Sequence, residues 1–212
     1  MAYHAISSML MGIVIASLLS VQACGKNGST ERIATPLELA VYENMPERVT
    51  VLLKEGVPEN FRAGIGPQLL QYAMSDELIR NHREEPKEQV IKRADDIVRI
   101  LLNVDVDPNG RTSYGVPILH EAIANDRLAA AEQLLERGAD VNSIGDNWSA
   151  LMLAVYHCHV DIVALLLKRG AVLTWKNHSG ETLESMAQQS CPSALSLLQT
   201  QGRVPLGSIP KG

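Results

Sequence analysis

Along these 212 residues the apolar positions fall in short bursts of helical period, separated by polar, often glycine-bearing turns. Gly115 to Asn142 shows the unit most clearly. Leu119, Ala122 and Ile123 recur at helical spacing, Asn125-Asp126-Arg127 interrupts, and Leu128, Ala131, Leu134 and Leu135 resume the period. Gly138 ends the second helix, because glycine takes the left-handed cap conformation without a Cβ penalty. Two helices this short cannot bury their apolar faces alone, so the pattern predicts neighbours of the same kind.

The neighbours are present. Alanines 40, 73, 122, 154 and 187 mark one position of the unit at steps of 33, 49, 32 and 33 residues, the long step holding one insertion. Gly115-Val116-Pro117-Ile118-Leu119-His120-Glu121-Ala122, followed by Gly138-Ala139-Asp140-Val141-Asn142, resembles the ankyrin repeat. That family's pattern runs Gly-x-Thr-Pro-Leu-His-x-Ala, then a Leu-Leu pair, then Gly-Ala-Asp-Val-Asn. The resemblance covers residues 35–202 and implies an all-α, ankyrin-repeat solenoid of about five helix-turn-helix units with short projecting turns.

In the first unit Thr35 suits a helix cap and Pro36 the first turn, while Val49, Leu52 and Leu53 face the core and Gly56 stops the helix. The second opens at Gly66 and carries the insertion, about 75–90, with the charged text SDELIRNHREEPKEQV and Pro86 interrupting any helix through it. Two readings stand for it: a lengthened helix pair with a solvated charged turn, or a protrusion that contacts a partner. The fourth unit runs from Asp146 to Ala171. The fifth places Glu184 where the others have leucine, which suits the polar terminal cap an array needs. Residues 203–212, with Pro205 and Pro210, are expected to form a flexible tail.

Met1 to Ala23 holds no Lys, Arg, Asp or Glu, and its apolar run Met9 to Leu19 is shorter than the roughly 20 residues a spanning helix needs. Leu18-Leu19-Ser20-Val21-Gln22-Ala23-Cys24-Gly25 resembles the bacterial lipobox. The resemblance implies a signal peptide over 1–23, lipid attachment at Cys24, and a polar tether within 24–34. Gly25, rather than aspartate, implies an outer-membrane destination facing the periplasm. The n-region MAYHAISS lacks Lys and Arg, and Gln22 is larger than the pattern favours. An uncleaved anchor and an ordinary cleaved signal are the alternatives. The formal net charge of -5 argues against nucleic acid, which wants a basic face.

Little points to catalysis, and no cofactor is expected. His157-Cys158-His159 lacks a second Cys/His group at zinc spacing, so a structural role is expected and no metal. His120 holds the position whose imidazole, by the family resemblance, bonds the neighbouring turn. Asp95-Asp96 reads as a solvated helix face. Cys158 and Cys191 fall at one site of consecutive units. Stacked helices lie about 8–10 Å apart and a disulfide wants Cα atoms about 4.4–6.8 Å apart, so two thiols are expected.

What remains is binding. Tyr114, Trp148 and Trp175 lie one in each of three successive turns, and both tryptophans of the chain are there. Such rings are common interface anchors, the other reading being that each lies as a lid over its neighbouring turn. Arg111, Asp146, Asn147, Lys176, Asn177 and His178 form a candidate polar rim. Tyr42, Glu43, Asn125, Asp126, Tyr156 and His157, at first-helix ends, border the same surface. The expected function is a non-catalytic, membrane-anchored protein binder. Its layout is similar to ankyrin lipoproteins that act as immunity proteins against type VI secreted toxins, such as phospholipases. The alternative is an envelope scaffold or chaperone-like partner of a periplasmic enzyme such as a peroxidase, and a small-molecule or metal site at His157 to His159 is a third.

Overall fold

The computed structural model describes residues 34–177 and 179–201. The chain divides into two compact units, 1–36 and 37–212, of which only residues 34–36 of the first are described. The signal segment, Cys24 and the tail beyond 201 therefore lie outside the described residues. Among these, no helix is long and apolar enough to cross a membrane.

Helix pairs follow one another as the periodicity predicts. They are α1 (Pro36–Tyr42) and α2 (Pro46–Glu55), then α3 (Gly66–Met74), α4 (Asp76–Asn81) and α5 (Lys87–Asn103). Next come α6 (Ile118–Ala124) with α7 (Leu128–Glu136), α8 (Ala150–Tyr156) with α9 (Val160–Lys168), and α10 (Leu183–Ser190) with α11 (Pro192–Gln201). A π-helical turn, Phe61–Ile65, leads into α3. Helices α3, α6, α8 and α10 pack side by side in one layer, and α2, α5, α7, α9 and α11 in the other.

The marker alanines explain the layering. Ala40, Ala73, Ala122, Ala154 and Ala187 are all fully buried, and a small side chain there suits close packing between helices. Three residues earlier, Leu37, Leu70, Leu119 and Leu151 are buried, whereas Glu184 of the last unit is exposed. Ser149 and Thr182 cap α8 and α10 through the amides of Met152 and Ser185. Gly138 and Gly170, at φ 90° and 87°, end α7 and α9 in the left-handed region glycine favours.

Neighbouring turns are bonded in register. Asp107 and Asp140 each accept from the amide two residues on. Asn109 Oδ1 accepts from Asp140 N at 2.8 Å, and Asn142 Oδ1 accepts from Val172 N at 2.9 Å. His120, 2 % exposed, donates from Nε2 to the Ser143 carbonyl at 3.0 Å, the role expected of it.

Three features differ from the sequence expectation. First, Cys158 and Cys191 form a disulfide, with Cα atoms 5.0 Å apart, rather than two thiols. Stacked helix axes keep their distance, but both cysteines stand in the connections between helices. Residues 157–159 link α8 to α9, whereas Cys191 alone links α10 to α11. This one-residue connection brings Cys191, fully buried, against the exposed Cys158. Second, Asp95 is not a solvated face. It pairs with the guanidinium of Arg127, a side chain 2 % exposed that also donates to the Ala73 carbonyl at 3.0 Å. Third, the insertion is more than a charged turn. Its α4 folds back so that Leu78 is fully buried against Val90 and Ala94, a small core of its own.

Candidate functional site

The turn between α7 and α8 is a two-stranded ribbon, β1 (Ile144–Gly145) and β2 (Trp148–Ser149), paired antiparallel. Asp146 and Asn147 form its tip with φ of 48° and 68°, as a tight hairpin turn requires. Their side-chain types are therefore fixed by the turn as well as available to a partner. The ribbon holds Trp148 half-buried, its ring edge-on to Tyr156 at the end of α8, with centroids 5.0 Å apart. Tyr156, 54 % exposed, meets His157 edge-on at 5.2 Å, and His157 stacks on His159 at 5.5 Å. Four rings thus run in a continuous path from the turn tip to the connection before α9.

His159 has a structural partner in Asp126 Oδ1, 3.2 Å from Nδ1, which joins the connections of the third and fourth units. Burial lowers the affinity of His157 for a proton, and the neighbouring His159 lowers it further. Among the described residues no group of three or more His, Cys, Asp or Glu is placed to hold a metal ion.

The remaining candidates are spread along the turns. Tyr114 is 84 % exposed and Trp175 36 %, and neither makes a ring contact among the described residues. The three turn aromatics are not equivalent. Tyr114, Trp148 and Trp175 stand 8, 6 and 12 residues before the marker alanine of their units. Trp175 directly follows Thr174, which takes the place held by Asn109 and Asn142, where those side chains bond the next turn. Arg111 donates to the Gly115 carbonyl within its own turn at 2.6 Å. Asn177 is engaged with Glu181, donating to its carboxylate at 2.6 Å, while Lys176 is exposed and His178 lies outside the described residues. Between the turns of the third and fourth units lies an open depression of about 520 Å³, bordered by Arg111, Leu119, Asn142 and Ile144.

At the far end of the first-helix layer, Tyr42 and Tyr72 pack edge-on with centroids 4.4 Å apart. The sequence pointed to Tyr42 and missed Tyr72, which stands on α3 where periodicity marks only the helix. Glu43 lies 3.7 Å from Arg48 and Asn125 bonds the Glu121 carbonyl of its own helix, so both serve local structure.

Comparison with known proteins agrees with this architecture. Residues 119–167 match the family model for ankyrin repeats (many copies). The Notch-regulated ankyrin repeat-containing proteins of Xenopus tropicalis and Xenopus laevis are each 29% identical over 79 residues, 37% of this chain and 69% of theirs. Alpha-latrocrustotoxin-Lt1a of Latrodectus tredecimguttatus is 29% identical over 114 residues, 53% of this chain, which spans only 7% of that protein's length. With its helix pairs in two layers, its bonded turns and the matched segment 119–167, the described chain is an ankyrin-repeat array, a fold that points to protein interaction.

Proposed function

We propose that this chain is a non-catalytic, membrane-anchored protein binder of the bacterial envelope. In this role it is an immunity protein that binds and neutralises a type VI secreted toxin such as a phospholipase. The observation that carries the binding role is the ring path Trp148–Tyr156–His157, exposed at Tyr156 and anchored at Trp148 by the turn ribbon. Large rings pinned before the partner arrives lose little conformational entropy on binding. The Cys158–Cys191 disulfide supports an oxidising compartment, where such bonds persist. The lipobox at Cys24 supports attachment to the membrane the toxin attacks. A tether there would raise the local concentration of the binder, and occlusion of the toxin's active site needs no chemistry from the chain.

The test is a strain lacking the chain, challenged by attacker cells that deliver a phospholipase. Sensitivity should be restored to resistance by the wild type, and not by Cys24→Ala or by Trp148→Ala combined with Trp175→Ala. Unchanged survival of the deletion strain, joined to sensitivity towards hydrogen peroxide, would instead favour a scaffold for a periplasmic peroxidase.

A further inference from the structure

One position of the first-helix layer is out of character with its row. Immediately before the marker alanines stand Leu39, Tyr72, Glu121, Leu153 and Met186, a row of apolar and aromatic side chains with one carboxylate at its centre. Glu121 is half-buried on α6, which packs between α3 and α8, the helices that carry Tyr72 and Leu153. Its side chain has no ion pair or hydrogen bond among the described residues, although the same unit uses Asp126 and Arg127 in inter-unit bonds. Burial alone pushes its carboxyl above the usual range, with no charged group close enough to offset it. A carboxylate that gives up hydration without a donor is destabilising in the free protein.

We propose that Glu121 is the anchor point for a basic side chain, arginine above all, from the protein partner that docks on the first-helix layer. The inference rests on the protein-binding role proposed above and names the partner's chemistry at that surface. A guanidinium would meet the carboxylate through two parallel hydrogen bonds, strengthened as docking excludes water from the half-buried carboxylate. Its methylene stem would pack along Leu153 and Tyr72, and the Tyr72 ring on the neighbouring helix would offer its face to the cation. The net charge of -5 also favours a basic partner surface.

A displayed library of random dodecamer peptides, panned on the full chain, tests this directly. Enriched peptides should share an arginine or lysine flanked by apolar residues. Their affinity should fall at least about tenfold on Glu121→Gln, the loss of a charge-assisted pair, and hold on Glu132→Gln of α7 in the other layer. Glu121→Gln should melt no lower than the wild type, and a lower melting temperature would reveal an internal partner and overturn the proposal. Peptides without a basic residue, equal affinity on Glu121→Gln, or no enrichment at all would each overturn it as well. Peptides lost on the Trp148→Ala, Trp175→Ala variant but kept on Glu121→Gln would leave the turn surface standing and sink this inference. The reverse pattern would retain Glu121 and remove the turns.

Discussion

Replacing Arg127 with methionine should loosen the joint between the second and third units. The arginine side chain is 2 % exposed, donates to the Ala73 carbonyl at 3.0 Å and to Ile91 O at 3.4 Å, and pairs with Asp95, whose side chain is 20 % exposed. Burial already pushes the Asp95 carboxyl up, and Arg127 is the group that pulls it back. Methionine preserves the stem but strips Asp95 of its cation and the Ala73 carbonyl of a donor. Leaving these groups unsatisfied costs about 3 kcal/mol, the low end for a broken buried pair because Asp95 keeps some water. Arg127 Nε is buried without a partner, so its removal returns about 1 kcal/mol. The expected net loss is about 2 kcal/mol by urea denaturation at pH 7. Adding Asp95→Asn, which leaves no stranded charge, should recover about half of that loss. A nearest-neighbour array uncoupled at one joint should also unfold over a broader transition. A loss below about 0.5 kcal/mol, with no coupling between the two positions, would show that Arg127 is solvated and refute the reasoning.

Three further outcomes follow from the packing. Reducing the Cys158–Cys191 bond, or changing both residues to serine, should cost about 3–4 kcal/mol on loop-closure grounds for a separation of 33 residues, read as a lower melting temperature that oxidation restores only in the wild type. Gly145→Ala should destabilise by about 1–3 kcal/mol in thermal melts, because a Cβ there would sit 2.7 Å from Pro117 Cδ and 3.1 Å from the His120 ring, neither free to retreat. His120 is held neutral by burial, with nearby Arg111 acting the same way, so its folded-state pKa lies below that of the unfolded chain. The unfolded chain then binds the extra proton. Stability from this site is present above about pH 6.5 and is lost as pH falls below it, and His120→Gln should flatten that slope in denaturation midpoints between pH 7.5 and 5.5.

The repeat was legible because it rests on packing that few residue types satisfy. The marker alanines, the buried leucines before them and the closing glycines Gly138 and Gly170 each answer a steric demand. What escaped was long-range or carried by residues that read as surface. Arg127 sits in a polar connection, and nothing local tells that its side chain reaches back to α3 and α5. Leu78 is one leucine among charges, and its core exists only once α4 folds onto α5. The cysteine pairing turned on the length of a connection, which the helical period does not fix to a residue. At the candidate site the sequence picked out the turn rings. It did not show that Trp148, Tyr156 and the two histidines would join while Tyr114 and Trp175 stood apart, since those contacts depend on the ribbon that turns at Asp146 and Asn147.

The central claim is that the turns and the first-helix layer of this array hold a protein partner. A photo-crosslinking amino acid placed at Tyr156 in living cells tests it most directly, with the same group at Glu132 on α7 as the control. Position 156 should give one discrete adduct that appears on exposure to the toxin-delivering attacker, and position 132 none. Adducts from position 132 but not from 156, or none from either during attack, would contradict the account.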